Sequence, residues 1–335
     1  MVTMSTTWTI RGFGVLLAIL ALLLVSVWFV QQASTSALAP PPEVQGQSFT
    51  VVEGDPLTTT GVHPADILGV GGNTLIPCLN LGLLCIDPVT GDNDDLNSLS
   101  YGWDFVATGL SPVAFSVAEG SQGAAGTAVR VEANCSSAEP QADVFGAPLD
   151  NTNAQELDGD GVSCSSNSGF VLVLTEGTPS DDLDNLDRDP CQVVDINCDG
   201  LPEDPVFFTL TPGSPSLAMI GAGPADILNA MGELVPLIWA SSTTDLGLKA
   251  NDVIDALCIR ENGDGVYDRE DEVLFSLAPA SPTLADLSAG PADLLRPGPA
   301  VVYPAAVLGL QATDDVDALV CAFEPSRLYL PLIRR

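Results

Sequence analysis

Three short sequence landmarks recur four times in the same order, and this repetition constrains the fold more than any other feature of the chain. The first is a phenylalanine-led apolar run with a turn, the second is PADIL or a variant of it, and the third is an aspartate-rich segment similar to DDLDAL. In chain order they begin at Phe49, Phe115, Phe208 and Phe275, at Pro64, Gln141, Pro224 and Pro291, and at Asp94, Asp181, Asp252 and Asp314. Repeated units of this size are expected to stack, because one unit cannot bury its apolar face alone.

Each repeat offers about four apolar segments of strand length, separated by residues that favour turns. The additional segments, LGLLCI, FVLVLT, TDLGL and AVLGL, lie between the second and third landmarks. Four strands per unit is the content of a propeller blade, so the sequence predicts an all-β, four-fold, β-propeller-like fold. Tandem small β-sandwich modules are the alternative, because successive phenylalanines are 66, 93 and 67 residues apart, whereas named propeller repeats span about 40–50 residues.

The ends of the chain differ from the repeats. Residues 1–39 hold Arg11, an apolar run and then small residues, which is the order of a secretory signal peptide, and the run is nearly long enough for an uncleaved membrane anchor helix. A linker at 40–48 precedes the repeat domain at 49–323, with repeats at about 49–114, 115–207, 208–274 and 275–323. The second repeat carries a Cys-rich insertion, and the tail at 324–335 is either a sorting signal or a last strand.

The order of PADIL, LGL and DDLDAL after FSLxPGS resembles a tandem repeat of secreted bacterial surface proteins of uncharacterised activity. The resemblance covers most of the chain from Phe49 to Phe323. It implies a bacterial protein that is secreted or held at the cell surface, and it carries over no catalytic residue.

Eight cysteines in an exported chain predict disulfide bonds. Two pairs are only seven residues apart, a third pair flanks one irregular segment, and the remaining two cysteines occupy equivalent positions in two repeats. The resulting candidate pairs are Cys78 with Cys85, Cys191 with Cys198, Cys135 with Cys164, and Cys258 with Cys321.

The net charge of −34 excludes nucleic acid as a natural partner, because such a surface repels phosphate. Charged residues nevertheless make up only 16% of the chain and hydrophobic residues 46%, so the acidity belongs to a folded protein and not to a disordered acidic tail. The remaining candidate partners are a cell-surface polysaccharide or protein, and a membrane only through an uncleaved leader.

Three loops rich in Asp and Gly carry part of the oxygen-ligand pattern of calcium-binding loops. Each departs from the EF-hand pattern at a different position, so we expect structural calcium sites, and the alternative is that the Asp-Gly pairs simply form turns. The candidate ligands are Asp195, Asn197, Asp199 and Glu203 in the first loop, Asn262, Asp264, Asp268 and Asp271 in the second, and Glu156, Asp158 and Asp160 in the third.

Catalytic signatures are weak. His63 is the only histidine and stands where two other repeats have glycine, no GxSxG or HExxH motif occurs, and the repeated aspartates predict turn caps more than a catalytic ring. We therefore expect a non-enzymatic structural or adhesive protein. A secreted glycan hydrolase with two carboxylates and a polysaccharide-binding module are the alternatives.

A polysaccharide-binding module would need aromatic side chains that stack on sugars. The candidates are Trp103, Trp239, Tyr101, Tyr267 and Tyr303, for which core positions are the competing interpretation.

Overall fold

The computed structural model describes residues 47–52, 55–86, 93–101, 113–135, 140–161, 164, 170–188, 206–230, 235–262 and 265–320. The chain divides into two units, Met1–Ser36 and Ala37–Arg335, and every described residue belongs to the second. The predicted leader and tail lie outside the described residues. Within these ranges, no helix has the length and apolar character needed to cross a membrane.

Seventeen short strands and a few single-turn helices make up the described part of the chain. The first eight strands are β1 (Ser48–Val51), β2 (Ile67–Gly69), β3 (Asn73–Ile76), β4 (Ser98–Ser100), β5 (Val113–Ser116), β6 (Val144–Ala147), β7 (Ala154–Asp158) and β8 (Phe170–Val171). The others are β9 (Leu183–Arg188), β10 (Val206–Leu210), β11 (Ile227–Ala230), β12 (Leu237–Ala240), β13 (Ile254–Arg260), β14 (Glu272–Leu277), β15 (Leu294–Arg296), β16 (Ala300–Tyr303) and β17 (Val316–Val320). The α-helices are α1 (Ala128–Ala133), α2 (Pro215–Ile220), α3 (Pro282–Leu287) and α4 (Ala305–Leu308), and 3-10 turns span Pro56–Thr60, Cys78–Leu81 and Pro140–Ala142.

The strands form four small sheets arranged in a ring, which is a four-blade β-propeller. From the innermost strand outward, blade 1 is β17-β1-β2-β3, blade 2 is β4-β5-β6-β7-β8, blade 3 is β9-β10-β11-β12 and blade 4 is β13-β14-β15-β16. All neighbouring strands are antiparallel except β7 and β8. The innermost strands β4, β9, β13 and β17 contact one another around the axis. The predicted four-fold propeller is confirmed, and tandem separate sandwiches are excluded.

A hydroxyl residue after each landmark phenylalanine links its blade to the innermost strand of the next blade or, for Thr50, to the residues just before that strand. Three of these hydroxyls donate directly to a backbone carbonyl, and the fourth is linked through an asparagine. The bonds run from Thr50 to Leu96 (3.3 Å), from Ser116 to Leu183 (3.2 Å), from Ser276 to Val316 (2.9 Å), and from Asn185 Nδ2 to both Thr209 Oγ1 (2.7 Å) and the Ile254 carbonyl (3.0 Å). The links therefore pass from blade 1 through 2, 3 and 4 and back to 1.

The four landmark phenylalanines occupy equivalent places in the blades. Each is fully buried and lies opposite a leucine of the innermost strand of its own blade. The pairs are Phe49 with Leu319, Phe115 with Leu99, Phe208 with Leu186 and Phe275 with Leu257. This common packing is why the phenylalanine recurs in the sequence.

Two features differ from the sequence-based expectation. The third landmark of each repeat forms the innermost strand of the following blade, so the blades are offset by one strand from the sequence repeats. The LGL segments were expected to be strands, and this is wrong for three blades. Their central residues Gly82, Gly247 and Gly309 have φ of +73°, +73° and +84°, a left-handed conformation that favours glycine, and at Gly82 and Gly309 it ends a short helical turn. The outermost strands instead come just before these turns.

The Gly309 turn gives a stability prediction. An added Cβ at Gly309 would lie 2.5 Å from the Gly71 Cα, whereas at Gly221, which has a similar φ of +78°, it would meet no atom within 4 Å. We expect Gly309→Ala to lower the free energy of unfolding by about 3–4 kcal/mol, the sum of left-handed strain and overpacking, and Gly221→Ala by only about 1–2 kcal/mol. Urea unfolding measures both, and equal losses would contradict the close packing at Gly309.

The described cysteines agree with the predicted pairing where it can be followed. Cys78 is bonded to Cys85, and Cys135 to Cys164. Cys258 in β13 is disulfide-bonded as well. Its predicted partner Cys321 and the predicted pair Cys191 and Cys198 lie outside the described residues.

Candidate metal centres

The first aspartate of each third landmark holds loop backbone in place. These four side chains are almost fully buried and accept hydrogen bonds from backbone N–H groups. The donors are Leu84, Gln122 and Gly123 for Asp94, Thr175 and Ser216 for Asp181, Lys249 and Thr283 for Asp252, and Gln311 for Asp314. The turn-capping interpretation is confirmed for these residues.

The aspartate of the PADIL landmark has an equally regular role in three blades. Its carboxylate bridges the N–H group three residues before it and an N–H group that follows the outermost strand. The pairs of donors are His63 and Cys78 for Asp66, Gly223 and Ser242 for Asp226, and Gly290 and Ala305 for Asp293, with distances of 2.6–3.1 Å. His63 thus contributes its backbone N–H where blades 3 and 4 use glycine, as expected for a simple substitution in a turn.

Blade 2 departs from this arrangement at Asp143. The residue three positions earlier is Pro140, which has no N–H group to donate. Asp143 keeps the second donor, the Gly159 N–H at 3.0 Å. Two further carboxylates join it, and one oxygen each from Asp143, Asp158 and Glu176 lie within 4.8 Å of one another. Where the other blades complete a turn, blade 2 therefore assembles three acidic groups.

The surroundings of these three carboxylates favour a cation. Asp143 and Asp158 are 2% and 1% exposed, and Glu176 is partly buried. Burial raises the pKa of Asp143 well above its ordinary value, the negative charges of Asp158 and Glu132 raise it further, and hydrogen bonds from Gly159 and Gln155 oppose the rise. A donor set made only of oxygens suits a hard cation such as calcium.

Backbone of the loop after β7 packs against the Glu176 carboxylate and donates to it. The Asp160 N–H donates to Glu176 Oε1 at 3.1 Å, and the Gly161 N–H donates to Asp158. A Cβ at Gly159 would lie 2.3 Å from Glu176 Oε1 and 3.0 Å from the Ala142 carbonyl, so only glycine leaves room for the carboxylate there. The Asp-Gly pairs of this loop both turn the chain and position the acids.

The three predicted ligands of this loop, Glu156, Asp158 and Asp160, make different contacts in the structure. Asp158 belongs to the carboxylate group, whereas Asp160 is exposed and contributes its N–H. Glu156 Oε2 lies 3.0 Å from Arg188 Nη1 in a buried ion pair. The sequence reasoning missed Asp143 and Glu176. Proline in place of glycine or histidine before the PADIL aspartate was the available signal for Asp143.

The second predicted loop forms a compact turn. Asp271 accepts the N–H groups of Asn262 (3.0 Å) and Asp268 (2.6 Å). Asp268 accepts the Glu270 N–H at 2.6 Å and the Asn262 side-chain amide at 3.3 Å. Burial raises the pKa of Asp271, and its two N–H donors oppose that rise. These described residues fit the turn-forming interpretation, and Asp264 lies outside the described residues.

Two candidate groups remain, one outside the described residues and one beside a disulfide. The first predicted loop, with Asp195, Asn197, Asp199 and Glu203, lies outside the described residues and stays a prediction. Glu132 lies close to the sulfurs of Cys135 and Cys164. Those two sulfurs are joined in a disulfide, so they are not thiolate ligands.

A second acidic cluster, which the sequence reasoning missed, lies on the innermost strands and in the segments just before them. We call Asp95, Asp182, Asp184, Asp255, Asp315 and Asp317 the axial carboxylates. They come from all four blades, and the charges of several of them act on one another across blade boundaries. Asn97, at the position of Asp184 in blade 2, donates its amide to Asp182 Oδ1 at 3.1 Å.

Burial raises the pKa values of five axial carboxylates, Asp182, Asp184, Asp255, Asp315 and Asp317, and neighbouring negative charges raise them further. Burial raises the pKa of Asp182 to about 7, and the charge of Glu119 adds to this. The pKa values of Asp184, Asp255 and Asp317 lie well above the ordinary value, first because of burial and then because of the neighbouring carboxylates. These groups are therefore costly to keep charged without a counter-ion.

The described aromatic side chains pack within the blades. Trp239 is 8% exposed, with its ring centroid 4.7 Å from Phe207 and 5.2 Å from Tyr267. Tyr101 is buried and Tyr303 packs against a blade core. The core interpretation holds for Trp239 and Tyr101, and Trp103 lies outside the described residues.

Comparison with known proteins adds no guide to the function. The chain has no significant match to a protein-family model, to a curated protein or to a solved structure. The chemistry of the carboxylate clusters is the remaining basis for assigning a role.

Proposed function

We propose that this protein is an exported four-blade propeller, stabilised by calcium in blade 2, that serves as a non-enzymatic structural or adhesive module at or outside the bacterial cell surface. The observation that carries the proposal is the departure of blade 2 from the other blades. There the missing N–H donor at Pro140 coincides with the addition of Asp158 and Glu176 beside Asp143.

Calcium is the cation that fits this group best. Three carboxylate oxygens lie within 4.8 Å of one another, close enough for one ion to contact all three directly. Calcium accepts such irregular oxygen sets, whereas magnesium demands regular geometry and gives up water reluctantly. Sites on extracellular modules bind calcium at about 10⁻⁴–10⁻³ M, a range that suits a structural ion outside the cell.

Several features support an exported, non-catalytic role. Disulfides at Cys78–Cys85 and Cys135–Cys164 are typical of oxidising compartments. The axial carboxylates Asp184 and Asp317 are only 6% exposed, so a sugar chain does not reach them in this state. The outer strands β12 and β16 expose apolar side chains, including Leu237 and Val301, which favours association over catalysis.

Thermal melting of the full chain tests the calcium site. With magnesium present throughout, calcium at a hundredfold excess over its Kd should raise the melting temperature by roughly 5–10 °C. Asp143→Asn/Glu176→Gln should lose this rise, and Asp150→Asn/Asp286→Asn, which removes two exposed charges, should keep it. A melting temperature indifferent to calcium would refute the site.

Two other measurements test whether the protein is non-enzymatic and whether it is exported. The calcium-loaded protein, incubated with bacterial envelope polysaccharide, should release no reducing ends while it sediments with intact cells. Release of reducing ends would favour the glycan hydrolase, and absence from both the cell surface and the medium of the native host would refute export.

A further inference from the structure

We propose that the propeller axis binds a hydrated divalent cation, held by the axial carboxylates Asp184, Asp255, Asp315 and Asp317. This site is separate from the calcium site of blade 2 and does not depend on it. It would join the innermost strands of blades 3, 4 and 1 where they meet.

The topology brings these side chains together from distant parts of the sequence. Asp184, Asp255 and Asp317 occupy the equivalent second position of β9, β13 and β17, which contact one another around the axis. The negative charges of four other aspartates repel that of Asp317, and these are Asp95, Asp255, Asp184 and Asp315. One small region of the axis therefore holds carboxylates from every blade.

Several carboxylate oxygens in this region have no hydrogen-bond partner. These are Asp184 Oδ2, Asp317 Oδ2 and Asp315 Oδ1. Asp184 and Asp317 are each 6% exposed, so bulk water does not solvate them freely. Buried polar atoms are normally paired, and a buried carboxylate needs a partner more than any neutral group.

No basic side chain supplies that partner in the described part of the chain. Its three ion pairs join Arg188 to Glu156, Lys249 to Asp286 and Arg260 to Glu272, and none of them includes an axial carboxylate. Asn97 provides an amide, but to Asp182. A cation from solvent would supply the missing partner, directly to one or two of these oxygens and through its bound waters to the others.

The spacing of the oxygens indicates a hydrated ion. Among the described residues, three ligand atoms lie within 4.8 Å of one another only in the blade 2 group and in the group of Glu132 with the bonded cysteines. An axial ion would therefore contact at most two carboxylates directly and keep several waters. Magnesium binds in this way, through one or two carboxylates and retained water, and calcium tolerates it.

Equilibrium dialysis of the full chain with magnesium tests the site. The parent should bind one equivalent of magnesium and melt roughly 5–10 °C higher at a hundredfold excess over the Kd. Asp184→Asn/Asp317→Asn should lose the bound magnesium and the rise in melting temperature. In chelator this variant should melt above the parent, because neutral amides remove the repulsion. Asp150→Asn/Asp286→Asn is the control for general screening of the negative surface and should bind magnesium as the parent does.

Two outcomes would overturn the axial site. One is undiminished magnesium binding by Asp184→Asn/Asp317→Asn, and the other is an equal loss in the exposed-charge control. Should the axial variant not fold, the relaxation of water protons is measured on the parent with manganese added. A bound manganese ion that keeps its waters enhances this relaxation, and magnesium should reverse the enhancement by displacing the manganese. If no enhancement that magnesium reverses is seen, the site is refuted. Asp143→Asn/Glu176→Gln should keep the magnesium equivalent, so failure of the blade 2 site and of the axial site are separable.

Discussion

Deletion of residues 316–335 is expected to abolish the cooperatively folded state, whereas deletion of residues 322–335 should leave it intact. The first deletion removes β17, the innermost strand of blade 1, which pairs with β1 from the other end of the described chain. The second removes only residues beyond Cys321, none of which belongs to a described strand. Both variants keep the four phenylalanines, so the comparison isolates the closing strand.

The size of the effect follows from what β17 buries. Val316 and Leu319 are fully buried, and Phe49 lies opposite Leu319. Two large apolar side chains contribute about 1.5–3 kcal/mol each, and exposing Phe49 adds a similar amount. The deletion also removes the Val316 carbonyl that accepts from Ser276. The total approaches the roughly 5–15 kcal/mol that stabilises a whole domain.

Near-ultraviolet circular dichroism and urea unfolding measure the outcome, and a transplant controls for it. Placing residues 311–321 and a short linker ahead of Gln47 makes blade 1 continuous, in the order that β13 and β14 have in blade 4. This variant of the deleted chain should regain a cooperative transition. A cooperative transition without the strand, or none with the transplant, would contradict closure by β17.

The sequence predicts the architecture well because the landmarks report local packing. Phe115 and Phe275 recur since each blade buries one phenylalanine against a leucine of its innermost strand. The segments LGLLCI, TDLGL and AVLGL were wrongly predicted to be strands, because their leucines are as apolar as those of a strand. Only the left-handed backbone at a glycine such as Gly309 distinguishes the turn, and hydrophobic pattern alone does not show φ.

The carboxylate clusters are harder to predict because their members are distant in sequence and come together only in the folded structure. Asp184 and Asp317 look like turn formers in a repeated acidic segment, yet β9 and β17 come together only when the ring closes. Asp143 and Glu176 are distant in sequence and meet through the blade 2 loop. A departure from the repeat, such as Pro140, was the local signal for the blade 2 group.

Arg188→Met is expected to lower the free energy of unfolding by about 3–5 kcal/mol, because it leaves the Glu156 carboxylate buried without its cation. Arg188 Nη1 lies 3.0 Å from Glu156 Oε2, and the two side chains are 4% and 5% exposed. The pair joins β7 of blade 2 to β9 of blade 3. The Glu156 carboxylate fills the space that a Cβ would take at Gly146, so it packs against the backbone of β6.

A double-mutant cycle separates this penalty from the strength of the pair itself. Glu156→Leu/Arg188→Met should recover most of the loss, because apolar side chains of similar volume carry no buried charge. The exposed pair of Lys249 and Asp286 is the matched control, and Lys249→Met should cost less than about 1 kcal/mol. If Arg188→Met cost no more than Lys249→Met, the Glu156 carboxylate would have to be neutral or solvated. If the double variant stayed as unstable as Arg188→Met, the guanidinium would stabilise the contact of blades 2 and 3 by packing and not by its charge.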